Sequence, residues 1–75
     1  MSQSVTYEEA RALTLEYYTK VRDSLPLPMR DMPRKVVANT ALSINAIIAA
    51  IESNTEIGQW LVAEYASGMG LVVSE

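Results

Sequence analysis

The side chains most often used as nucleophiles, general bases or transition-metal ligands are scarce in this chain. Its 75 residues include no histidine and no cysteine, which excludes Ser-His-Asp and Cys-His triads and most zinc sites. Two carboxylate pairs remain, Glu8/Glu9 and Glu52/Glu56. The second pair has the i, i+4 spacing of a helix face, but a di-metal carboxylate bundle also needs Glu-x-x-His segments. We therefore interpret these carboxylates as solvated helix ends and expect no enzyme activity, no metal site and no cofactor.

Three cations, Arg30, Arg34 and Lys35, lie close together just before the most apolar stretch of the chain. At the amino end of a helix they would stand beside exposed backbone N–H groups, an arrangement that binds phosphates or acidic partner segments. The alternative is that they pair with acidic side chains of the same chain or of a second copy. The sequence leaves both interpretations open, and these three residues are its candidate anion-binding site.

The charges of the chain are segregated. The net charge is −3 and the isoelectric point is about 4.8. All six basic residues precede Val36, together with five acidic residues, whereas residues 36–75 carry four glutamates and no cation. Affinity for nucleic acid comes mainly from lysine and arginine contacts to phosphates, so the overall balance disfavours nucleic-acid binding. A nucleic-acid-associated regulator that uses Arg22 and the three clustered cations is retained as an alternative.

The most apolar stretch predicts the element that would position these residues. Sixteen residues, Val36–Ile51, carry no formal charge, and on a helical wheel the larger apolar side chains share one face. That face contains Val37, Ala41, Ile44, Ile48 and Ile51. We predict one long central helix over residues 33–53, with Pro33 in its first turn. The apolar run is shorter than the roughly 18–20 residues of a membrane span, so no membrane segment is predicted.

The opposite side of this predicted helix is formed by small or uncharged side chains, where a surface helix would have charges. Small residues allow a second backbone to approach closely, and a chain of this length cannot easily cover both faces. We therefore predict a helical homodimer or a complex with a larger protein partner, with a tryptophan as an additional interface residue. The candidate interface residues are Asn39, Leu42, Ser43, Ala46, Ala50 and Trp60.

The predicted first helix spans residues 7–24. Thr6 and Glu9 form a capping box at its start. The sequence LPLP ends the helix because each proline pushes the preceding residue towards extended geometry. Apolar side chains recur along one face, which is the predicted core face of this helix. They are Ala10, Leu13, Tyr17, Val21 and Leu25, and Thr14 and Ser24 widen this face.

A third helix is predicted over residues 55–67, followed by an extended tail. Gly58 in its first turn weakens this helix by up to about 1 kcal/mol, unless close packing requires a position without a side chain. The tail, residues 68–75, is strand-like and too apolar to remain in water, so it should pack on the core or on a neighbouring subunit. Residues 1–5 form a short polar lead in this prediction.

Together these elements predict an all-α fold, a single three-helix domain of residues 1–75 with an extended tail. At 8.3 kDa, such a domain buries only about 60% of its unfolded surface. Without disulfides or zinc it depends on regular packing or on oligomerisation. The predicted function is that of a non-enzymatic protein–protein interaction module, a small regulatory, adaptor or inhibitor protein that acts as a homo-oligomer.

A small apolar-ligand carrier or accessory enzyme subunit is a further alternative, with a pocket lined by Tyr17, Ile48 and Trp60. The amino terminus has neither the basic start nor the apolar run of a signal peptide. The absence of cysteine is compatible with a reducing compartment. We therefore expect a cytoplasmic protein that does not contact a membrane.

Overall fold

The computed structural model describes residues 3–74. The strands are β1 (Gln3–Thr6), β2 (Lys35–Val37), β3 (Thr40–Leu42) and β4 (Leu71–Ser74). The helices are α1 (Tyr7–Ser24), α2 (Ile44–Glu52) and α3 (Glu56–Gly68), and a 3₁₀ segment spans Leu27–Asp31. The prediction of an all-α fold is therefore wrong, because the described residues combine three helices with four strands in two small sheets.

The first helix, α1, has the bounds that the sequence predicted. The Thr6 hydroxyl accepts a hydrogen bond from the Glu9 N–H at 3.1 Å, and the Glu9 carboxylate accepts one from the Thr6 N–H at 3.0 Å. The hydrogen bond from the Thr6 N–H, assisted by that between the two side chains, lowers the pKa of the Glu9 carboxyl below its ordinary value. This capping box fixes the start of α1, and the residue before Pro26 ends it in extended geometry.

The core face of α1 is rotated relative to the predicted stripe. Ala10 and Thr14 are fully buried, whereas Leu13 and Tyr17 are exposed. The buried hydroxyl of Thr14 donates a hydrogen bond to the Ala10 carbonyl at 2.6 Å, so a polar residue can occupy the core side of the helix without an unpaired group. As a result Tyr17 lies on the surface instead of in the core.

The predicted central helix over residues 33–53 is wrong in its first half, where β2 and β3 form an antiparallel hairpin. Ala38 and Asn39 link the strands, both with positive φ, at 50° and 63°. Positive φ at both positions is the geometry of a two-residue type I′ turn, and asparagine tolerates it well. The β-branched residues of both strands favour extended structure, and this outweighs their helical spacing. The helix therefore begins only at Ile44, after Ser43 as its N-cap.

The helices α2 and α3 cross closely at Gly58. The turn Ser53–Thr55 joins them, and Asn54 within it has a φ of 52°. The Tyr7 hydroxyl donates a hydrogen bond to the side-chain carbonyl of Asn54 at 2.7 Å. A Cβ on Gly58 would overlap the carbonyl oxygen of Ala50, so the two backbones can approach only because this residue has no side chain. Close packing is thus the reason for this glycine.

The two ends of the described chain form a parallel two-stranded sheet in which Gln3 of β1 lies opposite Leu71 of β4. Leu71 and Val73 pack against the core, so the extended tail folds back onto its own chain. The prediction that residues 1–5 form a polar lead is wrong from Gln3 onward, because Gln3–Thr6 form β1 and Val5 is buried. Met1, Ser2 and Glu75, the outermost residues of that lead and tail, lie outside the described residues.

The core lies between the three helices and is closed by the hairpin and the terminal sheet. Its largest fully buried apolar side chains come from α2 and α3. They are Ile44, Ile47, Ile51, Leu61 and Val62.

Arg11 of α1 reaches the carboxyl end of α2, where its Nε and Nη2 donate hydrogen bonds to the carbonyls of Ile51 and Glu52 at 3.2 and 3.0 Å. A cation at this end of a helix satisfies carbonyl groups and interacts favourably with the helix dipole.

Candidate partner-binding surface

Four of the six predicted interface residues hold the fold together. Leu42 of β3 is buried in the core. Ser43 is the N-cap of α2, where its hydroxyl accepts a hydrogen bond from the Ala46 N–H at 3.1 Å. Ala46 and Ala50 are half-buried and pack against the core. The single helix face from which these residues were inferred is absent, because residues 35–42 form the hairpin.

The other two predicted residues, Asn39 and Trp60, lie on the surface. Asn39 is exposed in the hairpin turn, where its positive φ accounts for the residue type. Trp60 of α3 is half-exposed beside the hairpin. Of the six residues, Trp60 has the large and rigid apolar contact area that is typical of an interface.

The three predicted anion-binding residues are not grouped at a helix end. Arg30 lies in the 3₁₀ segment, and its Nε donates a hydrogen bond to the Leu25 carbonyl at 3.1 Å. Arg34 is exposed in the loop before β2. Lys35 of β2 forms an ion pair with Glu64 of α3 at 2.8 Å. Helix N–H groups therefore do not assist an anion site at these residues, and Lys35 pairs within its own chain.

A surface depression of about 410 Å³ opens between the hairpin and the first turns of α3. Its lining combines aliphatic side chains of the hairpin with an aromatic and an acidic residue of α3. The lining residues are Val36, Val37, Ala38, Glu56, Ile57 and Trp60. The depression is therefore apolar, with the carboxylate of Glu56 as its charged group.

A second depression, of about 550 Å³, lies between α1 and the carboxyl half of α3. Its lining residues are Tyr17, Tyr18, Lys35, Glu64, Tyr65, Gly68 and Met69. The ring of Tyr17 contacts that of Tyr18 edge-to-face at 5.1 Å and that of Tyr65 at 5.2 Å. Desolvation raises the pKa of the half-buried Tyr18 phenol. Mutual ring contacts of this kind hold aromatic side chains in fixed orientations.

The two depressions lie end to end along one side of α3. The α3 residues that line them include Glu56, Trp60, Glu64 and Gly68, and four-residue spacing places such residues on one helix face. β2 borders both depressions. We call the combined lining of the two depressions the α3 strip.

Lys35 and Glu64 form a polar junction within the α3 strip. The Lys35 Nζ lies 2.8 Å from the Glu64 carboxylate and 5.9 Å from the centre of the Trp60 ring, within the range of a cation–π contact. The hydrogen bond to Glu64 raises the pKa of the Lys35 ammonium, against a smaller lowering by desolvation. Both side chains are about one-third exposed, so the pair stabilises the fold by no more than about 1 kcal/mol.

The α3 strip exposes large apolar side chains to solvent. The exposed fraction is 68% for Val36, 48% for Trp60, 47% for Tyr17 and 61% for Met69. Single exposed apolar residues are ordinary, but several large ones along one strip, with an ion pair between them, are typical of an interface with an apolar centre and polar groups. Sequence reasoning identified Trp60 and misplaced Tyr17 in the core. Nothing local in the sequence connects β2 with α3, because they meet only in the folded chain.

The apolar pocket proposed from the sequence is not formed as one cavity. Tyr17 and Trp60 line different depressions, and Ile48 is buried. The structure places the two aromatic residues on one continuous surface but keeps the Lys35–Glu64 pair between them. A ligand that contacts both aromatic residues must therefore extend along the strip.

Neither α2 nor α3 carries a lysine or an arginine. α2 and α3 are joined by a three-residue turn, an arrangement that DNA-binding helix pairs also use. However, α3 carries Glu56 and Glu64 and no lysine or arginine. Of the cations, Arg11 caps α2 and Lys35 is paired. A helix of this composition offers phosphates no favourable charge.

Among residues 3–74, no group of three or more carboxylates is arranged to hold a metal ion. None of the described helices has the length and apolar character needed to cross a bilayer. No protein-family model matches the chain, and no curated protein or solved structure matches it significantly. The functional inference therefore depends on the α3 strip itself.

Proposed function

We propose that the protein is a non-enzymatic protein–protein interaction module that binds its partner through the α3 strip. The observation that supports this most strongly is the exposure of Trp60 and Tyr17 on a surface built on two helices. Tryptophan, tyrosine and methionine are enriched in interfaces, and tryptophan and tyrosine often contribute most of the binding energy. On this proposal the chain acts as a small regulatory, adaptor or inhibitor protein.

The shape of the strip favours a protein partner over a small molecule. Its two depressions are open to solvent, and the Lys35–Glu64 pair lies between them. A small ligand would occupy one depression, whereas a helix or an ordered segment of a protein can lie along both. Because Lys35 and Glu64 already neutralise each other, a partner that covers this pair leaves neither of the two charges unpaired.

Site-specific photo-crosslinking tests this proposal. A photoreactive phenylalanine analogue replaces Trp60 in one variant and Ala12 in a matched control, because Ala12 is exposed on α1 and lines neither depression. After irradiation in a lysate of the source cells, we expect a discrete crosslinked protein from position 60 and none from position 12. A Tyr17→Asp substitution should weaken that product. Equal products from both positions, or none from either, would refute the proposal.

A small apolar ligand is a second candidate, because the volumes of the two depressions fall within the range of about 300–1,000 Å³ typical of ligand pockets. Trp60 lies in the first depression, so its fluorescence should change when a ligand enters. A saturable change on titration with a lipid, lost in a Val36→Asp variant and absent with a nucleotide, would support this candidate. A flat response to both classes would count against it.

We also propose a cytoplasmic location for the protein. The chain contains no cysteine and therefore gains nothing from an oxidising compartment. Fractionation of source cells with an antibody against the protein tests this, and recovery of the protein in a secreted or membrane fraction would contradict it.

A further inference from the structure

A second exposed apolar surface precedes the hairpin, in the segment Leu27–Arg34. The exposed fraction is 70% for Leu27, 47% for Met29 and 56% for Met32. None of these three side chains lines either depression of the α3 strip. Two cations, Arg30 and Arg34, alternate with them in the sequence. We call this segment the basic ridge.

The basic ridge is ordered by hydrogen bonds within its own chain. The Met29 N–H donates to the Pro26 carbonyl at 2.9 Å, and the Met32 N–H donates to the Met29 carbonyl at 3.3 Å. The Asn45 side chain donates a hydrogen bond to the Asp31 carboxylate at 3.0 Å and so ties the ridge to α2. An ordered segment loses little conformational entropy on binding, which suits the ridge to dock as a preformed unit.

We propose that the partner on the α3 strip is a second copy of this chain, whose basic ridge packs against the strip; this rests on the function proposed above. Charge complementarity supports this choice of occupant. The ridge is apolar and has a net charge of +1, since it contains Arg30, Arg34 and the Asp31 carboxylate that Asn45 engages, and the first depression is apolar with the carboxylate of Glu56. Within residues 3–74, neither Arg34 nor Glu56 has an ion-pair partner. Pairing Arg34 of one copy with Glu56 of the other gives each of these charges a partner.

The position of the ridge allows the contact to be reciprocal. Arg34 directly precedes Lys35 and Val36, which line the strip, so the two complementary surfaces adjoin each other along the chain. A two-fold axis near this junction would place the ridge of each copy on the strip of the other, which is a self-complementary interface. The chain thus forms a closed dimer with two identical Arg34–Glu56 pairs.

The surface area of the chain is compatible with this dimer. The accessible surface is 4949 Å², whereas a folded monomer of this mass is expected to expose roughly 4,600 Å². A standard interface removes about 800 Å² from each partner, which is roughly a sixth of the surface of this chain. The ridge and the strip contain the large exposed apolar side chains that such an interface would cover.

Charge reversal with sedimentation equilibrium tests the proposal. Glu56→Arg and Arg34→Glu are each made alone and combined in one chain, and each is studied over a dilution series. Glu8→Arg is the matched control, because Glu8 also lies in the first turn of a helix but lines neither depression. The circular dichroism spectrum of every variant shows whether it is folded. The wild type should reach twice 8.3 kDa at the highest concentrations and dissociate on dilution.

Each single reversal places like charges opposite each other at both contacts, so its dimer dissociation constant should rise at least about tenfold. The chain with both reversals should return to within about threefold of the wild type, and Glu8→Arg should not change it. An equimolar mixture of the two single variants is the sharpest measurement, because their heterodimer restores both pairs. The mixture should therefore associate more tightly than either variant alone.

Three results would overturn the second-copy inference. They are a wild type that remains monomeric at all concentrations, a dimer unaffected by both single reversals, and a mixture no tighter than its components. If any of these is found while position 60 still crosslinks to a different polypeptide, the inference fails and the proposed function stands. If position 60 also fails to crosslink, both fail.

Discussion

The substitution Gly58→Ala tests the close crossing of α2 and α3 on which the core depends. On helix propensity alone, alanine in place of glycine stabilises a helix by up to about 1 kcal/mol. In the structure, however, a Cβ at this position would overlap the Ala50 carbonyl oxygen and lie 2.6 Å from its carbonyl carbon. The neighbouring atoms belong to the backbone, so no change of rotamer can relieve the overlap. The two helices must therefore move apart.

The expected loss of stability can be estimated from the contacts that this movement disturbs. Overpacking of a tight core costs about 1–3 kcal/mol, and a backbone overlap lies at the upper end of that range. The carbonyl of Ala50 also accepts two hydrogen bonds from Thr55, each 3.2 Å long, and weakening them costs up to about 1 kcal/mol. After subtraction of the propensity gain, Gly58→Ala should lower the free energy of unfolding by about 3 kcal/mol. A domain of this size is stable by only about 4–11 kcal/mol in total.

Thermal and urea denaturation followed by circular dichroism measure this effect. The melting temperature should fall by roughly 10–20 °C. Gly68→Ala is the matched control, because it lies in the same helix and a Cβ there would meet no atom within 4 Å. That variant should be unchanged or more stable by up to about 1 kcal/mol. Equal stability of the two variants would refute the close crossing and, with it, the arrangement of α2 and α3.

Three further substitutions test local interactions of α1. Arg11→Met removes two hydrogen bonds to the last carbonyls of α2. In urea denaturation it should lower the free energy of unfolding by about 1–2 kcal/mol. The control Lys20→Met, at an exposed ion pair, should lower it by less than about 0.5 kcal/mol. Thr14→Val should change the free energy of unfolding by less than about 0.5 kcal/mol, because it removes a hydroxyl whose bond lies within its own helix; a larger loss would show that the hydroxyl is needed. The lowered pKa of Glu9 adds stability that is fully present above its ordinary value near 4.3 and is lost as the pH falls through the lowered value. Melting temperatures from pH 6 to pH 2.5 should therefore fall less steeply for Glu9→Gln than for Glu8→Gln, and identical slopes would contradict this.

Local signals predicted the ends of helices more successfully than periodicity predicted their centres. The Thr6–Glu9 capping box and the LPLP sequence gave α1 its observed bounds. Periodicity failed in residues 33–43, because the apolar spacing there fits one face of a helix although the chain forms a two-stranded hairpin. The signal that could have identified the hairpin was Asn39 between the β-branched pair Val36–Val37 and the β-branched Thr40, a typical setting for a two-residue turn. Four of the five residues on the predicted core face are nevertheless buried, but Val37 is buried from a strand.

The candidate surface was less predictable than the fold, because its residues come from separate elements. Trp60 was identified from residue type alone, since tryptophan is common in interfaces. Tyr17 was assigned to the core because it shares the apolar stripe of α1, but the buried part of that helix is formed by Ala10 and Thr14. The contact between Lys35 and Glu64 depends on how the hairpin docks on α3. Such contacts depend on tertiary packing. The spacing of residues within a single helix or strand does not predict them.

The hairpin also brings the β2 residues of the α3 strip next to α3. In a continuous helix over residues 33–53, Lys35 would have been in the first turn. The apolar residues of that helix would have lain along one of its faces. The hairpin instead brings Lys35 within 2.8 Å of Glu64 and places Val36 beside Trp60. In the free protein the partly exposed Lys35–Glu64 ion pair lies between two apolar depressions. It therefore limits the contiguous apolar area that contacts water. In a complex the same pair is already closed, so a partner needs to supply mainly apolar side chains and one cation for Glu56. On the proposed function, a partner that supplies this cation covers the strip without burying an unpaired charge.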